Sequence, residues 1–385
     1  ATISSPGVGS GLDVNSIVTQ LVAIERAPIS QLQREASSLQ TKLSAFGKLQ
    51  SNLSAVRDAA SALTRASTWS QTTGTSSDAS AVGVTTDANN KPGSFAVQVT
   101  QLAAAQSNVS KIYASTSDLV GEGTIRIELG SWGAGSSFTP KPDAAAIDIS
   151  VGPPAKTLAE VRDMVNAANA GITASVLSDA SGARLVFNSA FTGAANGFRI
   201  SVTDTDGNNV DASGLSALAY NPAVGVVTMA QALAASNAAA LVNGVPVTST
   251  SNTLTNLVDG MTLTLNRTTA SAVQITTAAD KDSIKKKIEE FVTAYNNLNT
   301  ELAGQTKFDA TSKTAGALQG DSAAVGLRSL LRTTLRTEST ASTVFMRLSD
   351  VGFDVQRDGS IKLAGKQLEN GLANLTELKK LFATS

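Results

Sequence analysis

The sequence predicts an α+β multidomain protein, in which a helical stem of the coiled-coil or bundle type carries two nested β-rich head domains. Two stretches far apart in the chain place apolar residues at alternating steps of three and four, as on one face of an α-helix. Between them, apolar residues recur at every second position, as in β-strands. The 385 residues also exceed what one hydrophobic core usually organises. We therefore expect the two helical stretches to pack on each other and the intervening chain to form the heads.

The first helical stretch is predicted from Ser30 to about Thr64, opened by a capping box that Ser30 forms with Gln33. At about 1.5 Å per residue it would be about 50 Å long, which is typical of a coiled-coil stem. Its apolar face fits a core helix and a helix between subunits equally well. The predicted stem-packing residues on this stretch are Leu39, Leu43, Phe46, Leu53 and Val56.

The chain before Ser30 is predicted to be a flexible N-terminal leg and export region, residues 1–29. A short helix from Asp13 to about Arg26 is expected within it. Pro28 biases Ala27 away from helical geometry. The sequence therefore predicts a break or kink, with Ala27 and Pro28 as the leg hinge.

The second helical stretch runs from Ser283 to Leu302, with Asp280 as its predicted N-cap. A helix with such an apolar face has to bury it against another element. The predicted stem-packing residues on this stretch are Ile284, Ile288, Phe291, Tyr295 and Leu298. Together with a β-hairpin between residues 351 and 363, this stretch places residues 30–69 and 280–385 in one helical stem domain.

The region between the stem segments is predicted to be β-rich and nested. Alternating residues at Val82–Val84 and Phe95–Val99, separated by turn residues, predict a hairpin at its start. Strands on either side of one helix, which Thr157 and Glu160 cap, indicate an α+β unit further along. We therefore predict an inner head domain, residues 70–106 and 230–279, into which an outer head domain, residues 107–229, is inserted.

The composition argues against several classes of function. There is no cysteine and no histidine, which removes thiolate chemistry, the commonest general base and the commonest metal ligand. A formal net charge of −1 gives no electrostatic reason to bind nucleic acid, and no apolar run approaches the length of a membrane span. Ser283–Lys286 matches a serine–lysine acyl-transfer motif but lies in the first turn of the stem helix. We therefore expect no catalytic residues, no bound cofactor and no metal, and predict that the chain is not an enzyme.

Several blocks of the sequence form a recognisable series. The first is residues 10–18 followed by Glu25-Arg26-Ala27-Pro28. The later blocks are Leu241-Val242-Asn243-Gly244, Leu257–Leu265, Phe291–Asn296, Leu318–Ser322, Val351-Gly352-Phe353 and Lys380-Leu381-Phe382. In these blocks and in their order, the chain resembles the bacterial flagellar filament cap family, also called the flagellar hook-associated protein 2 family.

The resemblance implies a structural cap at the distal end of the flagellar filament, which promotes folding and insertion of exported flagellin and prevents its loss. It implies a homo-oligomeric ring, with a pentamer as the expected stoichiometry and others left open. It also implies flagellin, the flagellar type III export apparatus and a chaperone as partners. The N-terminus has no cleavable signal sequence, which by itself would suggest a cytoplasmic protein. The family instead implies export and an extracellular location at the flagellar tip. The alternative is an extracellular adhesin whose head domains bind host mucin or other glycans.

Overall fold

The computed structural model describes residues 14–311 and 313–382. The chain divides into two compact units. The first, which we call the stem unit, contains the described residues up to Gln71 together with those from Asp280 onward. The second, the head unit, is Thr72–Ala279.

The stem unit is mainly helical. Its helices are α1 (Val14–Thr64), α2 (Ala66–Trp69), α4 (Lys281–Thr306), α5 (Ser322–Leu335), α6 (Gly365–Ala373) and α7 (Leu375–Phe382). Its strands are the short pair β19 (Phe308–Asp309) and β20 (Thr314–Ala315) and the hairpin β21 (Phe353–Val355) and β22 (Ile361–Leu363). Asp280 caps α4 by accepting a hydrogen bond from the amide of Ser283, and Asp321 caps α5 in the same manner.

Helix α1 runs through Ala27 and Pro28 without interruption, so a break at Pro28 is wrong, whereas a kink there stays a prediction. A proline inside a helix removes the one hydrogen bond that its amide would donate to the carbonyl four residues earlier. The residues on both sides of Pro28 are mostly good helix formers, so the helix continues past this single loss. The helix likewise does not start at Ser30. The predicted leader 1–13, including the start of the expected short helix at Asp13, lies outside the described residues.

The inner part of the head unit contains two antiparallel sheets around one core. Its strands are β1 (Thr72–Ser76), β2 (Val82–Thr86), β3 (Gly93–Gln101), β14 (Ala238–Val242), β15 (Val245–Ser249), β16 (Thr253–Val258), β17 (Met261–Leu265) and β18 (Val273–Ala279). The first sheet has the order β1-β18-β3-β14-β15 and the second has the order β16-β17-β2. Buried valine, leucine, isoleucine and alanine side chains from both sheets form the core between them.

The predicted hairpin between residues 82–84 and 95–99 is wrong, because β2 and β3 belong to different sheets. Strand β2 pairs with β17 over five residue pairs, and β3 pairs with β14 and β18. The amide of Asp87, the residue after β2, donates to the carbonyl of Gly260 at 2.8 Å, which extends the pairing of β2 with β17. Alternation indicates that a segment is a strand but does not identify its partner.

The outer part of the head unit has its own core. Its strands are β4 (Ser107–Val109), β5 (Leu119–Trp132), β6 (Phe138–Pro140), β7 (Ile147–Thr157), β8 (Ile172–Asp179), β9 (Gly182–Ser189), β10 (Gly197–Asp204), β11 (Tyr220–Asn221), β12 (Val226–Val227) and β13 (Ala230–Leu233). One sheet has the order β12-β11-β10-β5-β6 with β7 also paired to β5, and the other has the order β13-β4-β9-β8. Helix α3 (Leu158–Ala168), opened by the capping box of Thr157 and Glu160, buries Leu158, Val161 and Val165 in this core.

Candidate functional site

The core of the stem unit joins the C-terminal half of α1 to α4. On α4, Ile284, Ile288, Tyr295 and Leu298 are buried, and Phe291 is partly buried against the same core. These are the residues that the periodicity of the second stretch selected. Their burial follows from their spacing, since steps of three and four keep a side chain on one face of the helix.

On α1 the buried face differs from the predicted one. Val56 is buried, but the other predicted packing residues are exposed by 40–66 % of their surface. These exposed residues, for which the predicted packing is wrong, are Leu39, Leu43, Phe46 and Leu53. The face that is buried instead carries Ala45, Leu49, Val56 and Leu63.

The position of Ala45 on the buried face gives a physical reason for this difference. A small residue lets two helices approach closely, whereas the bulky Phe46 lies about 100° further round α1. Phe46 and Leu53, seven residues apart, therefore form a flank beside the contact. A choice of the largest apolar residues of α1 selects this flank. It leaves out Ala45, whose small side chain permits the contact.

The N-terminal half of α1 presents apolar residues that nothing in the described part of the chain covers. Between residues 15 and 44 no described side chain is buried. This exposed apolar face of α1, the name we use for it below, contains Ile17, Leu21, Ile24, Leu32, Leu39 and Leu43. A run of exposed large apolar residues on one element is typical of an interaction surface.

An aromatic cluster fixes the end of α1 to the C-terminal helices. The indole Nε1 of Trp69 donates to the carbonyl of Leu63 at 2.7 Å, which turns the chain back after α1. The ring of Trp69 stacks on Phe382 with centroids 5.8 Å apart. Phe382 in turn contacts Phe353 at 5.9 Å, and Phe353 contacts Phe291 at 6.2 Å. This cluster cannot be recognised in the sequence, because its members come from four separate segments.

A second fixed point joins α4 to the hairpin β21–β22. The side-chain amide of Asn296 donates to the carbonyl of Ile361 at 2.8 Å and accepts from the amide of Ile361 at 2.7 Å. This pair of bonds holds the first residue of β22 against α4. Asn296 belongs to the Phe291–Asn296 block of the resemblance, which was the signal that could have identified it.

The described residues give no sign of a metal or membrane site. Within 14–311 and 313–382, no group of three or more Asp, Glu, His or Cys side chains is placed to hold a metal ion. Across the same described residues, no helix has the length and hydropathy of a membrane span.

Comparison with known proteins gives a consistent result. The N-terminal model of the flagellar hook-associated protein 2 family matches residues 10–106, and the C-terminal model matches residues 235–385. The flagellar hook-associated protein 2 of Escherichia coli K12 is 30% identical over 384 residues, or 97% of this chain and 78% of the relative. The A-type flagellar hook-associated protein 2 of Pseudomonas aeruginosa is 30% identical over 388 residues, or 96% of this chain and 78% of the relative. The crystal structure of the D1-D2-D3 domains of the Escherichia coli flagellar cap protein matches with a TM-score of 0.67 and 28% identity, covering 89% of this chain and 90% of that one.

Proposed function

The chain belongs to the flagellar hook-associated protein 2 family, and we propose that it is a structural subunit of the cap at the distal end of the bacterial flagellar filament. The observation that carries this proposal is the similarity to the Escherichia coli flagellar cap protein, which extends over 89% of the chain. The adhesin alternative has no comparable support, because the matched relatives are named as hook-associated and cap proteins.

We infer the partners from the same family membership. Copies of the chain would assemble into a homo-oligomeric ring, and the ring would contact flagellin as each exported subunit inserts. The chain would leave the cell through the flagellar type III export apparatus, with the help of a chaperone, and act outside the cell. A head-to-tail ring uses two different surfaces of each subunit, so its assembly should depend on protein concentration.

We propose that the exposed apolar face of α1 supplies the grip on the filament. Leu39 and Leu43 expose two thirds of their surface, so contact with another protein would remove apolar area from water. Because α1 is helical from Val14 to Thr64, this grip would be a long helical leg, with the Ala27–Pro28 segment as its candidate point of bending.

The test is complementation of a cap-deficient strain. We expect the unaltered chain to restore filaments and to stop the loss of flagellin to the medium. A variant with Leu39→Asp and Leu43→Asp should be exported and folded but should leave flagellin in the medium. Arg34→Gln, an exposed change on the same half of α1, is the matched control and should restore filaments. Measuring the amount of the variant itself in the medium distinguishes a failure of export from a failure to bind the filament. Normal filaments with the double aspartate variant would refute the proposed leg contact.

We also propose that the outer part of the head unit is a separable inserted domain. Ala104 and Ser236 exchange two backbone hydrogen bonds, of 3.0 and 3.1 Å, so the two junctions of the insertion lie side by side. Strand β13, which the predicted boundary at residue 230 assigns to the inner head, pairs with β4 of the outer head. Junctions at Ala104 and Ser236 therefore fit the pairing better than the predicted 107–229.

Two deletions test this boundary. Replacing residues 105–235 by a short Gly-Ser bridge should leave a soluble remainder, because both ends are already adjacent. Deleting 107–229 should give a less stable product, because β13 then keeps its place in the chain but loses its partner β4. Equal melting temperatures for the two products would contradict the revised boundary.

A further inference from the structure

Three arginines lie along one face of α5 and its C-terminal cap. Arg328, Arg332 and Arg336 are each four residues apart, which places their attachment points about 6 Å from one another along the helix. They line a groove of about 630 Å³ together with Val325 and with the hydroxyl-bearing Ser329 and Thr333. No carboxylate side chain of the described residues lines this groove. We call this surface the arginine face.

The guanidinium of Arg332 is held in place by the turn of the β21–β22 hairpin. Its Nη2 donates to the carbonyl of Asp358 at 2.8 Å. It also lies directly over Gly359, where an added Cβ would come within 2.5 Å of Nη2. Gly359 has a φ of +89°, so the turn itself also favours glycine. The hairpin therefore positions one guanidinium of the arginine face.

The arginine face has hydrogen-bond donors that lack acceptors. The Nε atoms of Arg328 and Arg332 are shielded from solvent and have no hydrogen-bond partner among the described residues. The ion pairs formed by the described residues likewise include none of Arg328, Arg332 and Arg336. The three guanidinium charges therefore have no carboxylate partner among the described residues, and an acidic group from another protein would supply one.

The phenol of Tyr295 interacts electrostatically with two of these arginines. Burial raises the pKa of the Tyr295 phenol, and the positive charges of Arg332 and Arg328 act in the opposite direction. Both guanidiniums therefore lie close to a low-dielectric core, where an ion pair is stronger than on an open surface.

The geometry favours carboxylates as the missing acceptors. A guanidinium can bind the two oxygens of a carboxylate with two parallel N–H donors. For Arg328 and Arg332 these donors would be the two Nη nitrogens, because the Nε atoms are shielded from solvent. The spacing of about 6 Å along α5 is close to the distance of about 6.6 Å between alternate side chains of an extended segment. The groove adjoining Arg336 has less positive charge, since Asp354 lines it and Arg347 is paired with Glu338. The site is therefore limited to the arginine face.

We propose that the arginine face binds an acidic segment of a partner protein, in extended conformation, with carboxylates at alternate positions. The chain's net charge of −1 gives no general attraction for polyanions, so the recognition would be local. This site is independent of the apolar leg contact, and its failure would leave the capping proposal untouched.

The experiment measures binding of a fluorescent peptide of alternating glutamate and serine to the full chain at low ionic strength. We expect Arg328→Gln combined with Arg332→Gln to weaken binding by about tenfold or more, since two charge-assisted contacts are lost. The matched control is Arg34→Gln combined with Arg65→Gln, which removes the same charge from exposed positions of the same unit and should change binding less than twofold. The same peptide with glutamine in place of glutamate should not bind.

A second variant tests the proposed binding without disturbing the contact between Arg332 and the hairpin. Arg328→Lys keeps the charge and touches no residue of the turn, yet it loses the planar two-donor edge, so it should weaken binding about threefold or more. The proposal is overturned if the wild-type chain does not bind the glutamate peptide, if the glutamine peptide binds equally well, or if the control pair weakens binding as much. Binding of inorganic sulfate without binding of the peptide would also overturn it, by identifying a site for an adventitious ion only.

Discussion

Helix α4 and the N-terminal half of α1 both carry an apolar face with helical spacing, but only that of α4 is buried. Ile284 and Ile288 on α4 are fully buried, whereas Leu39 and Leu43 on α1 expose 66 % of their surface. Helix α1 has 51 residues and α4 has 26, which correspond to about 77 Å and about 39 Å. A periodic apolar face therefore shows that a helix can pack against a partner. The length of that partner determines how much of the apolar face is buried.

The largest effect should come from placing a charge on each face. Ile288→Asp buries an unpaired carboxylate in the stem core and should destabilise the stem unit by about 3–5 kcal/mol, or prevent its folding. Leu39→Asp leaves its charge in water and should change stability by no more than about 0.5 kcal/mol. Urea unfolding followed by circular dichroism measures both. If Leu39→Asp were as damaging as Ile288→Asp, the face of α1 would be buried in solution.

A finer comparison uses two neighbouring residues of α1. Leu49 is 5% exposed and Phe46 is 41% exposed, although they are three residues apart. Leu49→Ala should cost about 2–3 kcal/mol through lost burial and a cavity, and Phe46→Ala should cost less than about 1 kcal/mol. Thermal melts of both variants test which face of α1 packs on α4. If Phe46→Ala lowered the melting temperature more than Leu49→Ala, the predicted face of α1 would be the buried one.

Pro28 offers a test of how far the two halves of α1 are coupled. Pro28→Ala restores a helix hydrogen bond and should stabilise the local helix by up to about 3 kcal/mol. Because no side chain between residues 15 and 44 of the described chain is buried, the melting temperature of the stem core should stay unchanged. Hydrogen exchange should slow around residues 24–32 only. Slower exchange at 45–63 as well would show that the leg and the core unfold together.

Much of the stem could be predicted from sequence because its signals are local. The steps on α4, the caps Asp280 and Asp321, and the alternation around Asp358-Gly359 each depend on a few neighbouring residues. Partner choice depends on distant segments instead. This is why β2 and β3 were wrongly paired.

The two candidate sites likewise combine local sequence signals with features that depend on distant segments. The exposed apolar face of α1 was visible as a pattern, but its exposure depends on how far α4 extends. The arginine face could not be recognised, because a stripe of arginines on a helix is usually a solvated surface. Its significance comes from three guanidiniums that no carboxylate of the described residues pairs and from the turn at Gly359, and both require the folded chain.

The smallest expected effect concerns acid sensitivity at the packed end of the stem, near the buried Leu378. The hydrogen bond from Lys380 Nζ, at 2.6 Å, and the one from the Ser342 hydroxyl, at 2.8 Å, hold the pKa of Glu377 below its usual value. A carboxyl whose pKa is lower in the folded state stabilises that state above its unfolded pKa, and this contribution disappears as the pH falls through the folded pKa. The stability advantage of wild type over Glu377→Gln should therefore be complete at neutral pH and shrink below about pH 4.5, the usual value for this side chain.

The measurement is the difference in melting temperature between wild type and Glu377→Gln at neutral pH and at about pH 3, where other acidic groups affect both proteins alike. We expect wild type to melt at a higher temperature than Glu377→Gln at neutral pH, and this difference to be smaller in acid. Glu369→Gln, at an exposed position of α6, is the control for losing one negative charge. A difference that stayed constant with pH would mean that Glu377 contributes through packing or neutral hydrogen bonds. The packed end of the stem would then owe its stability to its apolar and aromatic contacts, without help from this carboxylate.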